Sequence, residues 1–347
     1  MTRRVRHQQL PAAGPVRESL REKGQFWTPA WVAEPMVGYV MEGQADELFD
    51  PAVGEGAFFR AAKDIAQEQG RSITLMGAET DPDVLRQAVL SGLAQEDLAA
   101  VRMHDFVTHP PMRHFKAIVA NPPYIRHHRL PLLLKAELKE YSRWLIGAAL
   151  DGRAGLHVYF LLRALELLDN DGRLAFIMPA DTCEGKFAPA LWQWITAHYQ
   201  LEAVVTFTPE ATPFPSVDTN AIVFMIRKAP PRPVFPWARC AMPDTPAFKQ
   251  WVLSGFHGPL AAGMTVHERQ LDEALRTGLS RPPVGQQHTG PVLADFAKVM
   301  RGIATGENDF FFLTATRARE LRIPAKFLRI AIGRTRDVME DELTQGT

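Results

Sequence analysis

Between residues 45 and 228 the chain alternates between two hydrophobic rhythms. The runs DELFD, SITLMGAE, AAVRMHDF, FKAIVANP, GRLAFIMP, LEAVVTF and NAIVFMIRK are rich in β-branched and aromatic residues and read as strands. Between them stand amphipathic segments, such as 57–69 and 155–168, whose apolar positions recur with the spacing of one helix face. This alternation predicts βαβ units, and hence a doubly wound α/β fold around a mostly parallel sheet. The last two runs lie too close together for a helical crossover, so the last strand is predicted to be antiparallel.

Beyond Lys228 the rhythm weakens. KAPPRPVFPWARCAMPDTP, residues 228–246, is dense in proline and predicts a boundary or wrapping linker. A helix is predicted over 265–277, then a loop, SRPPVGQQHTGP, and a short segment ending RGIATGENDFFFLT. No internal repeat or low-complexity tract is visible.

Composition narrows the class. With 46% apolar and 22% charged residues and no apolar run long enough to cross a bilayer, the chain reads as a soluble, cytoplasmic protein. The opening MTRRVRHQQL is basic but lacks the apolar core of a secretory signal, and so reads as a mobile arm. Cys183 and Cys240 are too few for a disulfide framework or a cysteine-rich zinc site. The formal net charge is zero, which gives the molecule no bulk attraction to nucleic acid, although bases outnumber acids between Arg281 and Arg336.

Candidate chemistry sits at the predicted strand ends. The first strand closes at Asp50 and runs into Pro51, Ala52, Val53, Gly54, Glu55 and Gly56. Two glycines one residue apart permit a tight turn and a close approach of a ligand to the backbone. Glu79 ends the next strand, where a carboxylate can accept from both ribose hydroxyls, and Asp105, followed by Phe106, ends the third, within reach of an adenine amine. Taken singly, each acid is a common turn or cap residue. Together the three strand ends point to an adenosine-bearing cofactor, and no phosphate-cradling G-x-x-x-x-G-K-[ST] is present to suggest a triphosphate. Upstream, Thr28 and Pro29 are a plausible N-cap and first helical residue, leaving N–H groups able to hold a carboxylate.

The fourth strand ends in Asn121-Pro122-Pro123-Tyr124. The prolines restrict the backbone, so the Asn121 side chain and the Pro122 carbonyl are fixed acceptors beside an aromatic face. Two acceptors suit a planar NH2 group. Taking both its protons draws the nitrogen towards tetrahedral geometry and frees its lone pair to attack an electrophilic methyl. Arg126, His127, His128 and Arg129 follow directly and suit phosphates; the histidines have no acid or cysteine at ligand spacing, so no metal site is expected.

These residues, in this order, resemble a gamma-class N6-adenine DNA methyltransferase of the restriction-modification type. The resemblance covers residues 20–228 well and 290–336 more loosely. It implies a Rossmann-like class I methyltransferase sheet with a small C-terminal recognition region, and S-adenosyl-L-methionine as cofactor. GQFWTP resembles the segment that contacts the cofactor's methionine, with Phe26 and Thr28 near it. DPAVGEGAF resembles the cofactor loop, with Asp50, Pro51, Ala52, Gly54 and Gly56. Glu79 resembles the ribose ligand, and Asp105 with Phe106 the adenine contact. Asn121, Pro122 and Tyr124 match the catalytic tetrapeptide, with Asn121 also near the cofactor. Phe214, in ATPFPSVDTNAIVFMIRK, resembles the aromatic that sandwiches an extruded adenine against Tyr124, and Phe207 is the competing choice. VMRGIATGENDFFFLT resembles the start of a recognition region, with Arg301 and Asn308 expected at nucleic acid beside Arg126, His127 and Arg129.

The resemblance divides the chain into a basic arm (1–19), a catalytic domain (20–228), a proline-rich linker and helical segment (229–289) and a short or partial recognition region (290–347). It implies double-stranded DNA as substrate, with a cognate restriction endonuclease or a separate specificity subunit as partner, and neither membrane nor metal. Two alternatives stay open: a protein-glutamine or RNA methyltransferase using the same tetrapeptide, and a non-catalytic DNA-binding or specificity subunit.

Overall fold

The computed structural model describes residues 26–42, 45–215, 220–257, 261–283, 291, 293–298, 308–329 and 331. The chain divides into two compact units, residues 1–284 and 285–347. The expected arm over 1–19 lies outside the described residues, as does Arg301.

The first unit is built on a nine-stranded sheet in the order β3-β2-β1-β4-β5-β7-β6-β8-β9. The seven strands read from the sequence all form: β1 (Glu47–Asp50), β2 (Thr74–Glu79), β3 (Val101–Met103), β4 (Phe115–Ala120), β5 (Leu168–Pro179), β6 (Gln200–Phe207) and β7 (Ala221–Arg227). From β3 to β5 the pairing is parallel. β7 then inserts antiparallel between β5 and β6, with Phe224 opposite both Phe176 and Val204.

The sheet does not end there. The proline-rich stretch expected to be a linker contains β8 (Val234–Cys240), parallel to β6, and the predicted helix over 265–277 is instead β9 (Met264–Gln270) running into a short helix, Leu271–Thr277. Prolines conceal β8 in the sequence, yet they do little harm to it. Pairing with β6 begins at Trp237, one residue after Pro236, so that ladder does not need the missing N–H. β9 conceals itself differently: it is an edge strand whose exposed residues, Thr265, His267, Glu268 and Gln270, are polar, and its inward Arg269 is only 1% exposed.

Period-two alternation divides the apolar residues between two cores. Phe49, Ile118, Phe176, Phe224 and Val204 face one side, covered by α5 (Leu156–Glu166) and α6 (Ala188–His198). Leu48, Val119, Ala175, Val205 and Ala238 face the other, covered by α1 (Ala30–Val40), α2 (Ala57–Glu68) and α7 (Pro246–Leu253). The remaining helices of this unit are α3 (Pro82–Leu90), α4 (Leu132–Ile146) and α8 (Leu271–Thr277). Burying both faces leaves the carboxyl rim of the sheet as the natural ligand edge. In the second unit, short helices at Leu293–Phe296, Asn308–Phe311 and Ala315–Glu320 are described. Among the described residues no helix is long and apolar enough to cross a membrane.

Candidate active site

The loop after β1 turns on Gly54 and Gly56, whose φ values of +55° and +74° are left-handed. A Cβ on Gly56 would stand 2.2 Å from Leu93 Cδ1, so both conformation and space demand glycine there. Glu79 fastens the loop to β2. Its Oε2 accepts from Gly54 N at 2.9 Å, and Oε1 accepts from Thr80 N at 2.7 Å and Asp81 N at 2.9 Å. Asp105 Oδ1 likewise accepts from Val107 N, Thr108 N and Thr108 Oγ1. Among the described residues no donor reaches Asp105 Oδ2.

These ends surround a cavity of about 540 Å³ at the rim over β1, β2 and β4. Phe26, Thr28, Pro51, Ala52, Gly54, Glu79, Asp105, Phe106 and Asn121, each named from the sequence, all line it, and Trp27, His104 and Phe160, which were not named, join them. Gly56 is not in the wall, and neither is Asp50. Asp50 is fully buried beneath the loop, where Oδ1 accepts from Ala52 N at 2.9 Å and Oδ2 has no partner among the described residues. Burial raises its carboxyl from 3.8 to about 8.

Asn121 occupies the junction between this cavity and an aromatic cluster. Its Nδ2 donates to the Phe26 carbonyl at 2.5 Å and to Thr28 Oγ1 at 3.1 Å. A backbone carbonyl can only accept, so the amide must present its NH2 to Phe26 and turn Oδ1 the other way. Among the described residues no donor reaches either Asn121 Oδ1 or the Pro122 carbonyl. Phe26 and Thr28, expected near a cofactor, thus also orient Asn121, a contact that no sequence signal marked.

Tyr124 is pinned by its hydroxyl, which donates to the Ile177 carbonyl at 3.2 Å, and burial holds that hydroxyl well above the usual tyrosine range. Its ring meets Phe26 at 5.6 Å and Phe214 at 6.2 Å between centroids, and Phe214 meets Phe26 at 5.9 Å. The geometry separates the two phenylalanines left open by the sequence: Phe214 borders Tyr124, whereas Phe207 packs edge-on against Trp31 at 5.6 Å. Behind Tyr124 lies His157, 6.0 Å away and 4% exposed, with neither ring nitrogen partnered among the described residues. Burial lowers its pKa from 6.5 to about 3, so the ring is neutral. No sequence signal marked it.

Of the residues expected at nucleic acid, Arg126 and Arg129 are exposed on the turn that follows the tetrapeptide, and His127 is half-buried. Asn308 starts a short helix of the second unit, and its side chain lies outside the description. Among the described residues no three His, Cys, Asp or Glu side chains converge as a metal site.

A sheet of this strand order with a ligand cavity over β1, β2 and β4 defines a class I methyltransferase fold. Solved structures share it at 12–18% identity. A type I restriction-modification methyltransferase subunit from Streptococcus thermophilus superposes with a TM-score of 0.57 at 16% identity, covering 77% of this chain and 63% of that one. A class I S-adenosylmethionine-dependent methyltransferase from Listeria monocytogenes gives a TM-score of 0.54 at 15% identity, covering 67% and 73%. The chain belongs to the N-6 DNA Methylase family, whose profile matches residues 16–234. It is 26% identical to the type II methyltransferase M.XamI of Xanthomonas campestris pv. amaranthicola, over 82% of this chain and 52% of that protein. It is 21% identical to M.AccI of Acinetobacter calcoaceticus, over 94% and 60%. The chain therefore spans between half and two thirds of the length of these relatives.

Proposed function

We propose that the chain is a site-specific DNA adenine methyltransferase of a restriction-modification or related defence system, working in the cytoplasm. It transfers the methyl of S-adenosyl-L-methionine to N6 of an adenine turned out of the duplex. The observation that carries this reading is the fixed orientation of the Asn121 amide, with Phe26 and Thr28 holding its NH2 and its carbonyl directed away from them.

The cavity suits the cofactor chemically. Asp105 Oδ2 is an acceptor for an adenine amine, Phe106 and Phe160 offer apolar walls to the ring, and Glu79 retains lone pairs for ribose hydroxyls. At Gly54 the backbone comes as close to a ligand as a glycine turn permits, while Gly56 shapes the turn against Leu93. When bound, the cofactor supplies an electrophilic methyl carbon on a sulfonium.

The protein's part is positioning. Asn121 Oδ1 and the Pro122 carbonyl accept hydrogen bonds from the two N–H groups of the exocyclic amine and direct its lone pair towards the cavity. Tyr124 and Phe214 hold the base, and the stacking offsets part of the few kcal/mol lost when it leaves the duplex. Arg126, His127 and Arg129 lie on the rim beside it and are assigned to flanking phosphates, with Arg301 and Asn308 assigned to target recognition. A cognate endonuclease or a specificity subunit is the partner this role calls for.

The test is incubation of the chain with labelled S-adenosylmethionine, unmethylated bacteriophage DNA and a translation factor, followed by nucleoside and amino-acid analysis. N6-methyladenine is expected. Label recovered as methylglutamine in a translation factor, and none in DNA, would overturn the substrate assignment.

A further inference from the structure

The rim carries a second cleft, of about 470 Å³, over the carboxyl ends of β5, β6 and β8, and the cofactor reading makes no use of it. Arg126, Arg239 and Arg281 line it, together with Asp181 and Glu184, and Trp237 forms part of its floor. It lies one side chain behind the aromatic cluster: His157, which packs on Tyr124, has Nε2 3.9 Å from Asp181 Oδ1.

One wall of this cleft is held in place by buried polar groups. Arg269, 1% exposed, spends its guanidinium on the carbonyls of Gly278 at 3.1 Å and Arg281 at 2.6 Å, while Glu273 and Thr277 take its other donors. Trp237 Nε1 donates to the Leu279 carbonyl at 3.0 Å. Both thus fix the loop that carries Arg281. Glu184 accepts from Ser280 Oγ at 2.9 Å and stands 3.4 Å from the Arg281 guanidinium, so one of the two acids is occupied in aiming that arginine. The Arg239 side chain is exposed and makes no ion pair among the described residues. The cleft therefore presents three guanidiniums against two carboxylates, Asp181 towards Arg126 and Glu184 towards Arg281, with Glu210 near Arg239 outside its lining.

From this arrangement we propose that the second cleft binds the sugar-phosphate backbone of the strand whose base enters the site, with Arg239 and Arg281 contacting phosphates and Arg269 as the positioning residue. Guanidinium forks match phosphate oxygens in pairs, and a rigid loop spares them the entropy of ordering. The proposal rests on DNA being the substrate.

Its test measures binding of the full chain to a fluorescein-labelled 30-base-pair duplex by anisotropy, across a sodium chloride series. Losing two phosphate contacts is expected to weaken binding of R239Q/R281Q on the order of 10-fold and to lower the salt slope by about 2, each single exchange lowering it by about 1. Cofactor affinity, measured by calorimetry, stays at the wild-type value. The control R86Q/R102Q removes equal charge from α3 and β3 at the far edge of the sheet and leaves the slope unchanged. Wild-type affinity and slope in R239Q/R281Q, or an equal loss in R86Q/R102Q, would overturn the cleft. A wild-type chain that binds no duplex at all would overturn the DNA reading itself.

Discussion

Exchanging Asn121 for aspartate keeps an acceptor oxygen and nearly the same shape, so a simple acceptor role predicts a tolerant site. The structure predicts the opposite. The Asn121 amide nitrogen stands 2.5 Å from the Phe26 carbonyl and 3.1 Å from Thr28 Oγ1. A carboxylate would set oxygen against that carbonyl, and only the Thr28 hydroxyl could turn to donate. The lost hydrogen bond to Phe26 is worth about 1 kcal/mol, and a charged oxygen facing a carbonyl in a partly buried place adds about 1–3 kcal/mol. The sum of about 2–4 kcal/mol corresponds to a fall in kcat/KM of about 30-fold to 10³-fold. A protonated carboxyl restores the arrangement, because its O–H donates to Phe26 while its carbonyl oxygen faces the cleft. Asn121→Asp is therefore expected to be nearly inactive at pH 8 and to regain activity as pH falls towards 5, a limb the wild type lacks. Steady-state methyl transfer across pH, with cofactor affinity measured in parallel, reads this directly. Full activity at pH 8 would refute the claim that Phe26 and Thr28 set the amide's orientation.

Three further outcomes follow from the same geometry. Thr28→Val removes one acceptor from Asn121 and should lower kcat about 5–10-fold, with Thr28→Ser restoring it; a rise in cofactor KM at unchanged kcat would assign Thr28 to the cofactor alone. Asp50 holds its proton up to about 8 in the fold and releases it near 3.8 when exposed, so the ligand-free protein loses stability as pH rises through that window. Asp50→Asn should abolish that slope, melting higher than wild type at pH 8 but not at pH 4, as thermal scans at several pH values would show. Gly56→Ala combines a left-handed backbone with a contact on Leu93, at a cost of about 3 kcal/mol, and should lower Tm by about 5 °C and weaken cofactor binding.

The sequence makes legible whatever depends on periodicity or on a short motif. All seven strands up to Arg227 follow from their alternation, and the strand-end residues Gly54, Glu79, Asp105 and Asn121 line one cavity because parallel strands carry their carboxyl ends to one rim. What escapes is of two kinds. β8 and β9 are hidden by prolines and by a polar edge, local features that tertiary pairing overrides. Contacts such as Phe26 with Asn121, or His157 with Tyr124, join residues distant in sequence, and nothing in either segment marks the other. Phe214 and Phe207 look alike in the chain, and only the path of the loop after β6 brings one of them to Tyr124.

The central claim is that the Asn121 carbonyl, fixed from behind, receives an exocyclic amine beside the cofactor cavity. The most direct measurement is transfer of labelled methyl to unmethylated DNA by the wild type and by Asn121→Ala, with calorimetric cofactor binding on both. The account predicts N6-methyladenine from the wild type and a loss of at least about 100-fold in the variant at unchanged cofactor affinity. Comparable methylation by the two proteins would contradict it.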